Sequence, residues 1–336
     1  MDNRLTKKRL SDLLSYDWIF MIVVCIVSII GWELLYDFGA VKLTAGQNFK
    51  YYFDYTISPS GNNELRLELA EKETFSYDVL KLSSEAISQD YNVLKDRLSI
   101  KEGDIIFTDA VGMKEYKDSL AKGETPEKKV RAYSLIDTVD YKIASIDVMI
   151  ENAKKYLEDK AFFDGVDIQT AFDSYDRANI DDDKVRALFL NRNGKDNRFR
   201  TQSAKNQGIL LEMERIEKLY QNVVFIQAFI DNPANSEAII RYTRFSQVHE
   251  FTKGTTTQYQ DWIEQEINAG RENDVYGINL GKVKGGKNIT NFMQYKLGEE
   301  LNDIIILAFE FTSYQPHLQY ESLSFICTMI KACMGV

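Results

Sequence analysis

Trp18 to Tyr36 reads WIFMIVVCIVSIIGWELLY, and this stretch decides the class of the protein. Its uncharged part ends at Trp32 after about fifteen residues, and the whole stretch approaches the ~20 residues that cross a bilayer core. Aromatic side chains stand at both of its ends, where they favour the membrane interface. A helix of a soluble core would carry a polar stripe, which is absent here. We therefore predict a transmembrane anchor over residues 18–37.

The two flanks of this anchor differ in charge. Four basic residues precede it, and two basic residues follow it within the next two dozen positions: Arg4, Lys7, Lys8 and Arg9, then Lys42 and Lys50. Basic flanks stay in the cytoplasm. No small-residue cleavage site follows the apolar run, so an uncleaved signal anchor is the interpretation. We expect a single-pass cell-membrane protein with a cytoplasmic tail, residues 1–17, and with the bulk of the chain extracytoplasmic.

Composition narrows the classes further. The 336 residues include 41 Lys and Arg against 51 Asp and Glu, a net charge of −10, and 44% of the residues are hydrophobic. This apolar content suffices for a packed core. An acidic chain is a poor binder of phosphate backbones, which argues against nucleic acid as a partner. Three cysteines and two histidines offer few zinc ligands, and we expect no metal and no cofactor.

Residues 38–48 are predicted to form a linker, and the chain after this linker begins with strand signals. Residues 48–57 are aromatic and β-branched, and the alternation of Leu65, Leu67 and Leu69 with charged residues predicts a second strand in a hairpin with them. We then predict a strand over 75–82, a helix from Ser83 or Ser84 to Leu98, a buried strand over 104–109 and a helix over 111–121. This β-α-β-α order indicates a partly parallel sheet.

The middle of the chain, residues 137–269, is predicted to be a mainly helical lobe. Two sets of apolar residues recur at spacings of three and four, which is the period of one helical face. They are Ile143, Ile146, Ile150, Ala153 and Leu157, and then Ile209, Met213, Ile216, Tyr220 and Val223. Two more helices are predicted, from Asn235 or Ser236 to Phe251 and from Trp262 to Ala269.

Strand signals return after Gly270. Residues 274–280 are a weak strand candidate, residues 288–301 look helical, and Asn302 to Phe311 (NDIIILAFEF) predicts a central strand before a terminal helix. The fold class is therefore α/β. We expect a two-lobed outer domain, with an α/β lobe from residues 49–136 and 270–336, beside the helical lobe and the one transmembrane helix.

Two stretches carry a family resemblance. The run Gly103-Asp104-Ile105-Ile106-Phe107-Thr108-Asp109, followed by Met113-Lys114-Glu115-Tyr116 and Gly123, resembles type II periplasmic solute-binding proteins, in which a strand ends in a polar residue before a helix and a glycine. Gln319 to Ile326 is similar to the terminal helix of that family. The resemblance covers about half of the chain. It implies a membrane-anchored relative of the binding proteins that serve ABC importers, with permease subunits as partners and a sugar or a peptide as ligand.

Patterns of catalysis are not evident. The triad Asp181-Asp182-Asp183 lacks the glycine and the alternation of an EF-hand loop, so a solvated loop or a helix N-terminus is the better interpretation. No G-x-S-x-G occurs, and His249 and His317 stand far from any nucleophile motif. We expect that the protein is not an enzyme. With 51 acidic residues, a pair of carboxylates that catalyses hydrolysis stays an open alternative, although no motif indicates one.

The candidate ligand-binding residues follow from the predicted fold. Asp109 ends a predicted strand, where open α/β sheets bind ligands, although a helix N-cap is the competing role. Aromatic rings near the predicted lobe crossings suit a sugar face, although core packing competes for them: Tyr259, Trp262, Tyr276 and Tyr314. The basic cluster from Lys184 to Lys205 either docks an acidic partner or headgroups, or balances neighbouring acids on a solvated face.

These observations lead to one expected function and one alternative. We expect a tethered extracytoplasmic ligand-binding or accessory protein of an ABC-type importer. The alternative is a non-catalytic structural or scaffolding protein of the envelope that has no small-molecule ligand. An aromatic-lined open cleft would favour the first, and a filled cleft would favour the second.

Overall fold

A computed structural model describes most of the chain. The described residues are Lys7, Ser11, 18–39, 47–55, 57–59, Phe75, 77–88, 91–109, 142–193, 196–241, 274–284, 293–295, 304–309 and 320–335. The chain divides into two compact units, Met1–Thr44 and Ala45–Val336.

The first unit contains one long apolar helix, α1, Trp18–Gly39. Its stretch Trp18–Leu35 has a mean hydropathy of 2.4, and none of these residues is buried inside the protein. The helix is therefore long and apolar enough to span a membrane or to serve as a signal sequence. The described side chains carry apolar surface all around, as lipid would require and water would oppose.

The second unit is a mixed α/β structure. Its strands are β1 Asn48–Phe53, β2 Ile57–Pro59, β3 Lys81–Ala86, β4 Ile105–Asp109, β5 Ile239–Arg241, β6 Val275–Asn279, β7 Met293–Tyr295 and β8 Ile304–Ala308. Its helices are α2 Tyr91–Ser99, α3 Ile146–Lys160, α4 Ile168–Ala171, α5 Asp182–Asn193, α6 Gln202–Asp231 and α7 Tyr320–Met334. Short 3-10 turns lie at Arg177–Asn179, Asn197–Phe199, Pro233–Asn235 and Leu280–Lys282.

Six strands form one sheet in the order β3-β1-β4-β8-β6-β5. Strands β3 and β4 pair in parallel with the two sides of β1, whereas β8 is antiparallel to both β4 and β6. Because β8 reverses the direction, β6 runs parallel to β1 and β4. Strands β2 and β7 pair separately as an antiparallel ribbon.

The sheet is buried on both faces. Successive residues of β1 point to opposite sides, as the strand period of two requires, so Tyr51 and Phe53 contact one core and Tyr52 contacts another. The first core includes residues of the helices α3, α6 and α7, and Phe325 of α7 packs in it with Phe107 of β4. The second core includes the buried face of α2 with Leu94. The sheet and the helices on its first face thus share one continuous apolar core.

The two predicted helical faces are confirmed except at Ile143, which lies before α3, forms an isolated bridge with Phe309 and packs in the second core. Helix α3 begins after Ser145, whose hydroxyl accepts a hydrogen bond from the Val148 amide at 3.2 Å, and it buries Ile146, Ile150 and Leu157. Helix α6 begins after Thr201 and buries the predicted face from Ile209 to Val223 except the half-buried Met213. These caps satisfy amides that a helix start leaves without partners.

The predicted strands of the sheet centre are also confirmed. The apolar run after Asn302 supplies β8, which lies between β4 and β6 and is buried along its whole length. Residues 274–280 supply β6, and residues 104–109 supply β4. Helix α7 forms as predicted, with Cys327 and Cys333 buried and unpaired. The mixed α/β class with an N-terminal apolar helix is therefore confirmed, while the two-lobed arrangement stays a prediction.

Two predictions around β1 were wrong. The strand predicted over 75–82 begins only at Lys81, and residues 83–86, read as the start of a helix because serine is a good N-cap, continue it as β3, so that α2 begins only at Tyr91. Pairing with β1 outweighs the local signal, since strand preference depends on the neighbouring strands. The predicted hairpin partner, residues 65–69, lies outside the described residues, but β3 and β4 already occupy both sides of β1.

Two predicted helices also contain strands. The helix expected from Asn235 to Phe251 is replaced over Ile239–Arg241 by β5, which pairs with β6. The helix expected over 288–301 is replaced over Met293–Tyr295 by β7, which pairs with β2. In both cases pairing between segments distant in sequence decides the structure. The helices predicted over 111–121 and 262–269 lie outside the described residues.

Candidate ligand-binding site

The carboxyl edge of the sheet, where β1, β4 and β6 end, is the first candidate site. From β1 the chain passes to β3 on one side and then to β4 on the other side, so the direction of winding changes between β1 and β4. Open α/β sheets bind ligands outside the carboxyl ends of strands at such a point. Asp109 is the last residue of β4, as predicted, and it pairs with Ile304. A ligand bound at this edge would therefore lie beside Asp109, at the end of β4.

Asp54, directly after β1, fixes this edge. Its carboxylate is fully buried and accepts hydrogen bonds from the Tyr91 hydroxyl, 2.9 Å from each oxygen, and from the Thr108 hydroxyl at 2.8 Å. Its backbone amide donates to the Phe107 carbonyl at 2.9 Å. One carboxylate thus ties together the ends of β1 and β4 and the first residue of α2.

Sequence reasoning missed Asp54. The available signal was an aspartate within the aromatic run 48–57, because a carboxylate inside a buried strand end needs partners. Those partners, Tyr91 and Thr108, are 37 and 54 residues away in sequence. No local pattern could have named them.

Asn279 extends the same edge to β6. Its side chain accepts a hydrogen bond from the Gly281 amide at 3.1 Å and caps the following 3-10 turn. Its own amide donates to the Ala238 carbonyl at 2.7 Å. Asn279 pairs with Ile305, which pairs in turn with Thr108, so these strand ends lie in one row. The rim that a ligand would meet is therefore rigid at β1, β4 and β6.

The predicted aromatic residues do not gather here within the described part of the chain. Tyr276 lies in β6 with 2% of its surface exposed, and it packs in the second core with Tyr52 and Tyr91. This is the packing role that competed with ligand contact. Tyr259, Trp262 and Tyr314 lie outside the described residues.

A second opening lies beside the edge strand β5. It is a half-open pocket of about 500 Å³, a volume typical of small-molecule sites. Asp231 and Arg241 line it with charged groups, whereas Pro233 and Ile239 line it with apolar surface. Because Arg241 pairs with the start of β6, this pocket reaches the opposite, amino edge of the sheet.

Acids gather near that pocket. Asp147, at the start of α3, accepts a hydrogen bond from the Val275 amide at 2.5 Å, and Asp274 accepts one from the Ser145 hydroxyl at 2.6 Å. Burial raises the pKa of Asp147, and the negative charges of Asp274 and Asp231 raise it further, while the Val275 amide and Arg241 lower it. The surroundings of the pocket are therefore electrically negative.

A buried arginine network joins the helices to the chain before β3. Its members, called the arginine network below, are Asp78, Arg192, Arg198, Glu212, Arg215 and Glu321. Arg192 donates to Glu212 at 2.9 Å and also to Asp78, and Arg215 links Glu212 to Glu321 of α7. Because acids and arginines alternate, the buried charges compensate one another.

The arginine network explains in part the role of the basic cluster from Lys184 to Lys205. Three residues of that basic cluster bind the chain's own acids: Arg192 and Arg198 contact Asp78, and Lys184 contacts Asp164 at 2.5 Å. The basic residues therefore serve internal contacts at these positions, which fits the balancing role better than docking of an acidic partner.

Metal ligands do not cluster within the described part of the chain. No group of three or more His, Cys, Asp or Glu side chains there is arranged to hold a metal ion. Comparison with protein-family models, with curated proteins and with solved structures returned no match. Function must therefore be argued from the site itself.

Proposed function

We propose that this protein is a membrane-tethered extracytoplasmic ligand-binding or accessory protein of an ABC-type importer, with a carbohydrate as one candidate ligand. The observation that supports the proposal is the change of winding between β1 and β4, because open α/β sheets bind ligands at such a point, and Asp109 ends β4 there. The apolar helix α1 supports a tether. The proposal includes no catalytic step.

The two-lobed arrangement belongs to the same proposal. In it, residues 49–136 and 270–336 carry the crevice, and residues 137–269 close it from the other side. The rigid rim formed by Asp54 and Asn279 supports such a site, because a preorganised rim loses little entropy when a ligand binds.

The full chain in detergent micelles, screened against glycans and short peptides by thermal unfolding, tests ligand binding. A ligand at ~100 times its dissociation constant should stabilise the fold by about 2.7 kcal/mol. Asp109→Ala should abolish this gain, whereas Asp173→Ala, which removes an exposed acid from the helical region, should retain it. No response across a broad panel would reject the binding role.

A permease partner is tested separately. Mild detergent extraction with crosslinking should recover polytopic permease subunits with the tagged protein. Replacing residues 1–37 by an unrelated lipid anchor should reduce this recovery, since the span and its short linker place the outer unit beside its partner. Recovery of this chain alone would count against the importer.

A structural role in the envelope is the second candidate. The sheet and the helices α3, α6 and α7 share one core, and Tyr276 is packed within the unit, which favours a filled molecule over an open one. A chain that binds no ligand and recovers no permease, yet whose deletion alters the envelope, would support this candidate.

A further inference from the structure

The pocket beside β5 is lined by both apolar and polar residues. Pro233 and Ile239 present apolar surface, and Asn232 and Ser236 add neutral polar groups. Asp231, which is the last residue of α6, lines the same pocket. The pocket therefore suits a ligand with a short apolar body and one polar head.

The end of α6 makes this head position negative. A 30-residue helix carries partial negative charge at its last turn, where four carbonyls lack intrahelical partners. Of these carbonyls, that of Phe229 accepts a hydrogen bond from the Asn235 side chain at 3.0 Å. The last turn contains no basic residue, and Asp231 adds a full negative charge there. An acid at this end destabilises a helix unless a cation compensates it.

Arg241 on β5 supplies one positive charge to the pocket, but the neighbouring acids outnumber it. The Asp147 carboxylate lies close enough to Asp231, Asp274 and Arg241 for its charge to interact with each of theirs. Among the described residues, three carboxylates stand against one guanidinium, which is an excess of negative charge. An anionic ligand would be repelled, whereas a cationic head would be attracted by the carboxylate and by the helix carbonyls.

We propose that this pocket binds a small organic ammonium ion, with the ammonium group at Asp231 and the end of α6, and the alkyl body against Pro233 and Ile239. The ammonium supplies the N–H donors that carbonyls and a carboxylate accept. The site is distinct from the crevice at the carboxyl edge, and the inference does not depend on the proposed function.

Pentylammonium is the probe, because it joins one ammonium to an apolar chain that the pocket can hold. Binding to the full chain in micelles is followed by ligand-observed NMR at millimolar concentrations. Pentanol has the same body without charge, and pentanoate has the opposite charge. Pentylammonium should saturate, pentanol should bind more weakly, and pentanoate should not bind.

Three variants make the test specific. Asp231→Asn should weaken pentylammonium roughly three- to tenfold, and Arg241→Gln should strengthen it by a similar factor because a competing positive charge is removed. Asp173→Asn removes the same charge from an exposed position outside the pocket and should change nothing. Asp231→Asn should not lower the unfolding temperature, since it removes an acid from a helix C-terminus.

Three results would overturn the proposal. One is the absence of saturable binding to the natural sequence. Another is equal weakening by Asp231→Asn and Asp173→Asn, which would indicate general attraction to an acidic protein. The third is equal binding of pentanol, which would indicate partition into apolar surface without recognition of the ammonium group.

Discussion

The arginine network and Asp104 bury carboxylates in opposite ways. In the network, Asp78 and Glu212 face Arg192, so each buried negative charge has a positive partner. Asp104 is also buried, but its carboxylate accepts a hydrogen bond from the Lys50 amide at 2.7 Å and has no charged partner among the described contacts. Burial raises the pKa of Asp78 as well, but its arginine neighbours lower it, whereas burial raises the pKa of Asp104 to about 7 without a charged partner among the described residues to oppose it. Removal of a charged partner should therefore lower the free energy of unfolding most in the arginine network, while a change of pH should alter that free energy mainly through Asp104.

Arg192→Met should have the largest effect. It leaves Asp78 and Glu212 buried without their central cation, and breaking a buried ion pair costs about 3–5 kcal/mol. The free energy of unfolding from urea titration of the full chain measures this loss. Arg186→Met, at an exposed position of the same helix α5, is the matched control and should change stability by less than about 0.5 kcal/mol. Equal effects of the two variants would contradict the compensated network.

Gly103→Ala should come next and tests the backbone beside Asp104. Gly103 has φ +126°, and an added Cβ would meet the Tyr52 ring at 2.3 Å. We expect a loss of about 3 kcal/mol from strain and overpacking. Gly165 has φ +88° with open space around it, so Gly165→Ala should cost only about 1 kcal/mol. A smaller loss for Gly103→Ala than for Gly165→Ala would show that the Tyr52 contact is not tight.

Asp104 should make stability depend on pH. Its pKa of about 7 in the folded protein lies above that of an unfolded aspartate, ~3.9, so the folded state holds the proton more tightly. The contribution of Asp104 to the free energy of unfolding is therefore largest at low pH, and it is lost as the pH rises through about 7. Between pH 5 and pH 8 the loss should be about 2–3 kcal/mol.

Asp104→Asn should flatten this pH profile. The asparagine oxygen can still accept the Lys50 amide hydrogen bond, but it carries no titrating charge. Urea midpoints at several pH values measure the change. Asp173→Asn, at an exposed site, should leave the profile unchanged. An unaltered profile in Asp104→Asn would assign the pH dependence to other groups.

Tyr91→Phe should have the smallest effect and tests the rim of the carboxyl edge. It removes the hydroxyl that donates to both oxygens of Asp54, which should cost about 1–2 kcal/mol. Tyr175→Phe, at a half-buried position in the helical region, should cost less than about 0.5 kcal/mol. Ligand binding at the rim should weaken together with stability only in Tyr91→Phe. An unchanged free energy of unfolding in Tyr91→Phe would mean that the hydrogen bond from Thr108 suffices to hold Asp54.

The candidate site was predictable only at one position. Asp109 could be placed at a strand end, because a short apolar run followed by Thr-Asp is a local pattern. Asp54, Tyr91 and Asn279 were not predictable as one rim, since their strands meet through pairings across the sheet. The pocket beside β5 was also beyond reach, because its two charged residues lie on elements that only folding brings together.

The sequence alone determined the apolar N-terminal helix, the helical faces of α3 and α6, and the central strand β8, because length and periodicity of apolar residues express those features locally. Tertiary structure decided the segments whose local signals were weak or ambiguous. Residues 83–86 and 239–241, predicted as helical, became strands because β1 and β6 offered them backbone partners. It also decided which acids met arginines and which met only backbone amides, since that choice depends on contacts between residues far apart in the chain.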